Sequence, residues 1–161
     1  FKVYIDKGTS LIDEGSPDIP KLSTSIIIPD AGNMEIEIVD SEYTEYDNVD
    51  LSSSKGNITR DIHPSSVPFV YNKSYNKNAF YPGQLAKLDS PYILRDLRGQ
   101  TVTFFPFQYN ASQKVLKVYT HIGINIFNNG VDQRNVITER SNNSIPKEFE
   151  NIYKVLVWIK A

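Results

Sequence analysis

The amino-acid sequence predicts an all-β fold, an antiparallel β-sandwich of the jelly-roll type with one short C-terminal helix. Short stretches in which apolar and polar residues alternate are separated by Gly, Pro and Asn residues that form turns. No helical segments alternate with these stretches, which argues against a parallel sheet. The 161 residues are enough to bury a stable core. We therefore predict one domain over residues 1–161.

Three strands are predicted before residue 40. Residues 1–6 (FKVYID) alternate apolar and polar side chains, which predicts a short strand. Residues 13–20 contain a glycine and two prolines and predict an irregular connection. Residues 22–28 are rich in β-branched side chains, and residues 33–38 alternate apolar with polar ones. We expect these two segments to be consecutive antiparallel strands joined around Pro29.

The later part of the chain predicts a hairpin and one long strand. We expect Gly99 to turn the hairpin between residues 92–98 and residues 101–109. Pro106 has no N–H donor and should interrupt the second of these strands. Over residues 115–127, one face of a long half-buried strand carries the apolar side chains Leu116, Val118, Ile122, Ile124 and Ile126.

A short amphipathic helix is predicted over residues 145–157. Its apolar residues recur at helical spacing and are Phe149, Ile152, Tyr153 and Leu156. Ser144 is placed to cap this helix, and Pro146 falls within its first turn. The predicted order of elements is therefore a run of strands followed by one helix.

Composition excludes several classes of function. The net charge of −2 gives no general attraction to nucleic acid or anionic lipid. The absence of cysteine excludes disulfides, thiolate metal sites and a cysteine nucleophile in this chain. No apolar run approaches the roughly 18 residues that cross a bilayer, and no signal peptide precedes Phe1, so we expect a soluble chain, mature or trimmed. Asp47, Asp50 and Asp61 lack EF-hand spacing, and we expect neither metal nor cofactor.

The most unusual stretch is a polar loop over residues 52–66 (SSSKGNITRDIHPSS), which contains a single arginine, Arg60. Only Ile58 and Ile62 within it could be buried, so it predicts neither a strand nor a helix. Loops of this length in compact domains are usually either functional or disordered. A solvated connection and a loop that displays a binding group both fit this pattern.

Catalytic residues are not expected. His63 lies near Asp61, Ser65 and Ser66, which are the residue types of a hydrolytic triad. Neighbouring loop residues rarely converge with the geometry of a triad, however, and no glycine-flanked nucleophile elbow is present. His121 is expected on the polar face of a strand, in a cross-strand or surface role.

The tyrosine and asparagine content is also compatible with a binding module. Ten tyrosines and Trp158 could form a sugar-stacking platform, so the alternative function is a non-catalytic β-sandwich that binds carbohydrate or cell surfaces. Most of these rings would also serve as core or cross-strand residues. Four Asn-x-Ser/Thr sequences are interpreted as solvated turns, at Asn57, Asn72, Asn110 and Asn142.

Several segments in one order carry a resemblance to a known family. They are EGSPDIP (14–20), SKGNITR (54–60), VPFVYNKSYN (67–76), FYPGQLAKL (80–88) and SPYILRDLRGQTVTFFPFQYN (90–110). They resemble the N-terminal prodomain of gingipain-type cysteine peptidases, with the nearest similarity to the arginine-specific members. The similarity runs over residues 14–127 and returns at residues 149–154, whereas residues 1–13, with their predicted strand, match poorly.

The resemblance implies a β-sandwich that precedes a caspase-like catalytic domain, keeps it latent and assists its folding. It also implies that residues 52–66 are an inhibitory loop that enters the active-site cleft, with a basic side chain in the primary specificity pocket. Arg60 stands at that position. The expected peptidase-binding residues are Asn57, Ile58, Thr59, Arg60 and Asp61.

The resemblance further implies a partner and a location. The partner is the catalytic domain of the cognate cysteine peptidase, and the protein is exported to the periplasm, the cell surface or the medium. Lys160 is a candidate processing site. The chain lacks an arginine at its end, which leaves open whether the partner is specific for arginine or for lysine.

Overall fold

The computed structural model describes residues 1–139, Phe149 and the strand Val157–Trp158. The chain divides into two compact units. The first unit comprises Phe1–Leu22, Asp40–Leu85 and Phe104–Gly123. The second unit comprises Ser23–Val39, Ala86–Thr103 and Ile124–Ala161.

Strands dominate the described part of the chain. They are β1 (Thr9–Ser10), β2 (Pro20–Ile27), β3 (Gly32–Tyr46), β4 (Ala86–Leu88), β5 (Tyr92–Leu94), β6 (Leu97–Phe104), β7 (Phe107–Asn110), β8 (Val115–Val131) and β9 (Val157–Trp158). One 3-10 turn covers Pro64–Ser66.

The strands form two sheets. One sheet has the order β1-β2-β6-β4, with β5 paired to β6 and β9 paired to β2, and the other has the order β3-β8-β7. The pairs β1–β2, β5–β6 and β7–β8 are antiparallel, and β9 runs parallel to β2. The prediction of an all-β fold with antiparallel sheets is confirmed.

The core of the first unit surrounds one buried tyrosine, Tyr109. This ring packs with four other buried side chains, Ile19, Leu51, Phe107 and Leu116. The Tyr109 hydroxyl donates to the carbonyl oxygen of Val49 at 2.7 Å, which satisfies its polar end. Burial raises the pKa of Tyr109 above its ordinary value. The tyrosine therefore serves as a core residue in a neutral form.

The second unit contains a fully buried arginine, Arg98 in β6, with an exposed fraction of 0%. Its guanidinium makes four hydrogen bonds and one ion pair. Four bonds go to the carbonyl oxygens of Pro29, Gly32, Arg134 and Asn135, at 2.7 to 3.0 Å. The fifth partner is the Asp132 carboxylate, 3.1 Å from Nη2. Arg98 thus ties two irregular segments, around residues 29–32 and 132–135, to a central strand.

Asp132 is held by a second arginine as well. The Arg134 guanidinium donates to both carboxylate oxygens of Asp132, each at 3.0 Å, and the Arg134 N–H donates to Oδ1 at 2.9 Å. These bonds from Arg134, with a smaller contribution from Arg98, lower the pKa of Asp132 to about 2. The carboxylate is therefore charged throughout the physiological range.

Two predicted features of the first 40 residues are wrong. Residues 1–6 are not a strand, because Val3 and Ile5 pack on the core but no strand in the described part of the chain pairs with them. The strands β2 and β3 are consecutive but belong to different sheets. The Gly32 N–H donates to the carbonyl oxygen of Pro29, and this short turn connects one sheet to the other.

The hairpin around residue 95 is displaced from its predicted turn. Leu94 pairs with Leu97, so Arg95 and Asp96 form the turn, and Arg95 adopts a φ of +54°. Gly99 lies inside β6 opposite Tyr92, where an added Cβ would stand 2.6 Å from the tyrosine ring. This glycine is required for close packing instead of for a turn.

Three other predicted features are confirmed. Residues 13–20 are irregular before β2 begins at Pro20, Pro106 separates β6 from β7, and β8 extends the predicted strand to Val131. The predicted helix over residues 145–157 lies outside the described residues apart from Phe149 and Val157, and Val157 belongs to β9.

Replacing Arg98 is expected to be strongly destabilising. Arg98→Met removes every donor, leaving four carbonyl oxygens and the buried Asp132 carboxylate short of a partner, which should cost about 3 to 5 kcal/mol of unfolding free energy. Arg95→Met is the matched control, since Arg95 is partly exposed and lies 3.8 Å from Asp96, and should cost less than about 1 kcal/mol. Urea denaturation measures both, and equal losses would contradict the assigned role of Arg98.

Acid is expected to remove the contribution of Asp132. Because its folded pKa of about 2 lies below the ordinary value of 3.8, the charged carboxylate stabilises the fold above pH 4. That stabilisation is lost as the pH falls from about 4 towards 2. The difference in unfolding free energy between wild type and Asp132→Asn should therefore be constant near neutral pH and shrink below pH 4. A difference that does not change between neutral pH and pH 2 would rule this out.

Candidate functional site

The polar loop over residues 52–66 is anchored at its start by backbone hydrogen bonds to residues 15–18. The Ser54 N–H donates to the carbonyl oxygen of Ser16 at 2.7 Å, and the Gly15 N–H donates to that of Ser54 at 2.9 Å. The Asp18 N–H donates to the carbonyl oxygen of Ser52 at 3.0 Å. The serines at positions 16, 53 and 54 are buried. The base of the loop is therefore a paired, desolvated segment.

Asn72 binds the segment of residues 14–16 that holds the start of the loop. Its backbone N–H donates to the carbonyl oxygen of Gly15 at 2.9 Å, and its side-chain amide donates to the Glu14 carbonyl oxygen and to the Ser16 hydroxyl. Gly15 has a φ of +77°, and an added Cβ would stand 3.0 Å from both Cβ and N of Asn72. Glycine at this position therefore allows the two segments to approach closely.

The tip of the loop is a four-residue turn with Arg60 and Asp61 at its centre. The Ile62 N–H donates to the carbonyl oxygen of Thr59 at 3.1 Å and closes the turn. The Thr59 side chain donates to the Asp61 carboxylate, and this bond, with one from the backbone, lowers the pKa of Asp61. Arg60 is exposed and makes no hydrogen bond or ion pair within the described residues.

The loop leaves its tip through the 3-10 turn Pro64–Ser66, which His63 caps. The Ser65 N–H donates to Nδ1 of His63 at 3.3 Å, and the Ser65 hydroxyl lies 2.7 Å from the same nitrogen. The Asp61 carboxylate bonds to Thr59 instead of His63, so these side chains do not form a triad. Lys55 crosses the loop, with its Nζ donating to the carbonyl oxygen of Pro64 at 2.7 Å.

The structure brings the five predicted binding residues together on this loop. Four of them are exposed, namely Asn57, Thr59, Arg60 and Asp61. Ile58 is half-buried and lines a surface cavity of about 340 Å³ beside the loop base. Lys160, the candidate processing site, lies outside the described residues.

Several exposed apolar residues lie within the loop or shortly after it along the chain. Ile62, Phe69, Val70 and Tyr71 expose between 43% and 57% of their surface. Phe69 lies against Lys55, whose Nζ is 4.3 Å from the ring centroid. Exposed apolar residues that lie close together along the chain are typical of a protein–protein contact surface.

The other sequence candidates have structural roles. The Tyr75 and Tyr81 hydroxyls donate to Leu51 and Asp13, and burial raises the pKa of Tyr81 to about 12. His121 contacts Asp40 on the neighbouring strand, as predicted. Interpretation of Asn110 as a solvated turn is wrong, because it is buried and accepts from Ser112 and Gln113. Asn72 is likewise half-buried, since its amide reaches Glu14 and Ser16.

Metal and membrane features were also sought in the described part of the chain. Those residues contain no group of three or more His, Asp or Glu side chains placed to hold a metal ion. None of the helical segments described there has the length and apolar character of a membrane span.

Residues 2–157 match the model of the Propeptide_C25 family. The chain belongs to this family. The sequence resemblance to gingipain prodomains is thereby confirmed, and so is the expectation of a non-catalytic propeptide instead of an enzyme. The matched range extends beyond residues 14–127 and 149–154, over which the sequence resemblance runs.

Similar proteins come from Porphyromonas gingivalis. Gingipain R1 is 40% identical over 148 residues, covering 92% of this propeptide and 15% of the relative. Gingipain R2 is 38% identical over the same share of this chain and 20% of the relative. Lys-gingipain is 28% identical over 88% of this chain and 8% of the relative. The Propeptide_C25 chain thus spans a fifth or less of the length of these relatives.

Two solved structures share the fold. One is the complex of the pro- and mature domains of Porphyromonas gingivalis RgpB, with a TM-score of 0.85 and 37% identity, over 95% of this chain and 77% of that chain. The other concerns zymogenic latency of gingipain K, with a TM-score of 0.68 and 24% identity, over 81% of this chain and 75% of that one. The second likeness shows the fold alone.

Gly15→Ala is expected to destabilise the loop base. An alanine here is strained in the left-handed backbone conformation, and its Cβ crowds Asn72. Together the two effects should lower the unfolding free energy by about 2 kcal/mol or more. Gly130→Ala is the matched control, because Gly130 has a φ of +101° but no atom within 4 Å of an added Cβ. It should carry only the backbone cost, about 1 kcal/mol. Chemical denaturation measures the unfolding free energy of both variants. Equal losses would show that the contact with Asn72 adds nothing to the cost of Gly15→Ala.

Proposed function

We propose that this propeptide keeps its own gingipain-type cysteine peptidase latent by placing Arg60 in the primary specificity pocket. The observation that carries the proposal is an exposed arginine, unpaired among the described residues, at the tip of a loop whose start is fixed by buried hydrogen bonds. Membership of the Propeptide_C25 family and the fold shared with the RgpB prodomain support it. The same contact would also let the propeptide assist folding of the catalytic domain.

The chemistry of the side chain suits this role. A guanidinium presents a rigid fork of N–H donors that can bond both oxygens of a carboxylate. A specificity pocket that selects arginine through a carboxylate is therefore filled better by Arg60 than by a lysine. Because Arg60 has no competing partner among the described residues, no internal bond has to break on docking.

The turn at the loop tip explains how the loop could bind without being cut. The bond between Arg60 and Asp61 is the central bond of a turn closed by the Thr59 carbonyl oxygen. Hydrolysis requires the scissile carbonyl to be aligned closely with the attacking thiolate, and small misplacements cost large factors in rate. A turn at this bond opposes the extended, aligned geometry. The loop would therefore act as an inhibitor instead of a substrate.

A single side chain cannot supply a tight complex. Standard stable interfaces bury about 1,600 Å² in total, with apolar residues at the centre. The exposed residues Ile62, Phe69, Val70 and Tyr71 offer such an apolar surface next to the loop in sequence. We propose that the catalytic domain covers them when Arg60 is bound.

Location and processing follow from the proposed role. A propeptide of a gingipain-type peptidase would be exported with its catalytic domain, to the periplasm, the cell surface or the medium. Processing at Lys160 would separate the two parts after export. Both statements rest on the family and on the sequence.

Arg60→Ala is expected to abolish most of the inhibition. If the pocket carboxylate is left unpaired, binding should weaken by about 2 to 5 kcal/mol, roughly 30-fold to several thousand-fold. The inhibition constant is measured by titrating the isolated chain against an arginine-specific gingipain-type peptidase. Thermal stability should stay unchanged, since Arg60 is exposed.

The matched control is Lys77→Ala, which removes an exposed cation from the same unit. It should leave the inhibition constant unchanged. The proposal is wrong if the wild-type chain does not inhibit at micromolar concentration, or if the two variants inhibit equally well.

A further inference from the structure

The two limbs of the loop, residues 55–58 and 61–66, are joined through Lys55. Its Nζ donates to the carbonyl oxygen of Pro64 at 2.7 Å. Within the described residues, this is the one hydrogen bond that connects the limbs. The same ammonium group lies 4.3 Å from the centroid of the Phe69 ring. Lys55 therefore closes the loop that carries Arg60.

Both ends of this contact are on fixed backbone. On one side, Ser54 is buried and bonded to residues 15–16, while Gly56 adopts a φ of +72° and donates its N–H to the Ser54 hydroxyl. On the other side, Pro64 begins the 3-10 turn that His63 caps. Only the lysine side chain has to be ordered to form the bond, so the entropy cost of closing the loop is small.

The contact depends on the charge of the side chain. An ammonium donor makes a stronger hydrogen bond to a carbonyl oxygen than a neutral donor does, and it is attracted to the face of an aromatic ring. Methionine has a similar flexible stem without the ammonium, so it would lose both attractions. Arginine keeps the charge and the donors.

We propose that Lys55 is a positioning residue that holds the Arg60 turn closed and so prevents cleavage of the bond between Arg60 and Asp61. Without this contact, the segment between the two fixed ends is held mainly by the hydrogen bond from Ile62 to Thr59, and it straightens more readily into the extended form that a peptidase cuts. Lys55 acts through Pro64 and the loop backbone and needs no contact with the peptidase. The consequence for latency rests on the proposed function, whereas the protection of the bond does not.

Limited digestion with trypsin tests the protection directly. Trypsin cuts after arginine and lysine and is not a gingipain-type peptidase. The rate at which fragment 1–60 appears is measured by mass spectrometry for wild type, Lys55→Met, Lys55→Arg and the control Lys77→Met. Each rate is divided by the rate of cleavage at the remaining lysines of the same sample.

The expected result is selective. Lys55→Met should raise the relative rate of cleavage after Arg60 by about tenfold or more, since loop alignment controls reactivity. Lys55→Arg should stay near the wild-type rate, and Lys77→Met should equal it. The proposal is overturned if Lys55→Met is cut after Arg60 at the wild-type relative rate. It is also overturned if cleavage rises equally at every site, which indicates general unfolding.

A second assay separates this proposal from the proposed function. The same variants are incubated with an arginine-specific gingipain-type peptidase, and both inhibition and cleavage after Arg60 are followed. Lys55→Met should inhibit at first and then lose inhibition as fragment 1–60 accumulates, whereas wild type should remain intact. If wild type does not inhibit at all, the proposed function fails, and the trypsin result still decides the role of Lys55.

Discussion

The pairing of residues 15–18 with residues 52–54 is the contact on which the Arg60 loop depends. It buries Ser16, Ser53 and Ser54, and the backbone groups of Ser16 and Ser54 bond across the two segments. Buried backbone groups without partners would be costly, so this pairing fixes the direction in which the chain leaves the core. The outer part of the loop contains neither a strand nor a long helix. Its position therefore depends on the paired segment from which it starts.

Both compact units hold their irregular segments by the same physical means. In the first unit, Asn72 donates to Glu14 and Ser16 and fixes the segment that supports the loop. In the second unit, Arg98 donates to four carbonyl oxygens of two connections. Connections lack ladder hydrogen bonds, so a polar side chain that reaches their carbonyl oxygens replaces them.

A propeptide that imitates a substrate must present a specificity residue and yet withhold the scissile bond. In this chain the two requirements fall on neighbouring features. Arg60 is exposed and unpaired among the described residues, while its bond to Asp61 lies inside a hydrogen-bonded turn. Under the proposed function, exposure of Arg60 would serve recognition, and the turn would oppose the alignment that hydrolysis needs. The balance between inhibitor and substrate would then depend on loop closure as well as on Arg60.

The sequence by itself determined the all-β class, the half-buried face of β8, the interruption at Pro106 and the polar loop around Arg60, because these follow from local spacing. It misplaced the hairpin turn because Arg95, with no glycine signal, adopts the left-handed conformation. Only the tertiary structure decided the contacts of Lys55 and Arg98. Their partners lie 9 to 69 positions away along the chain, and no local pattern in the sequence shows which donors and acceptors folding will bring together.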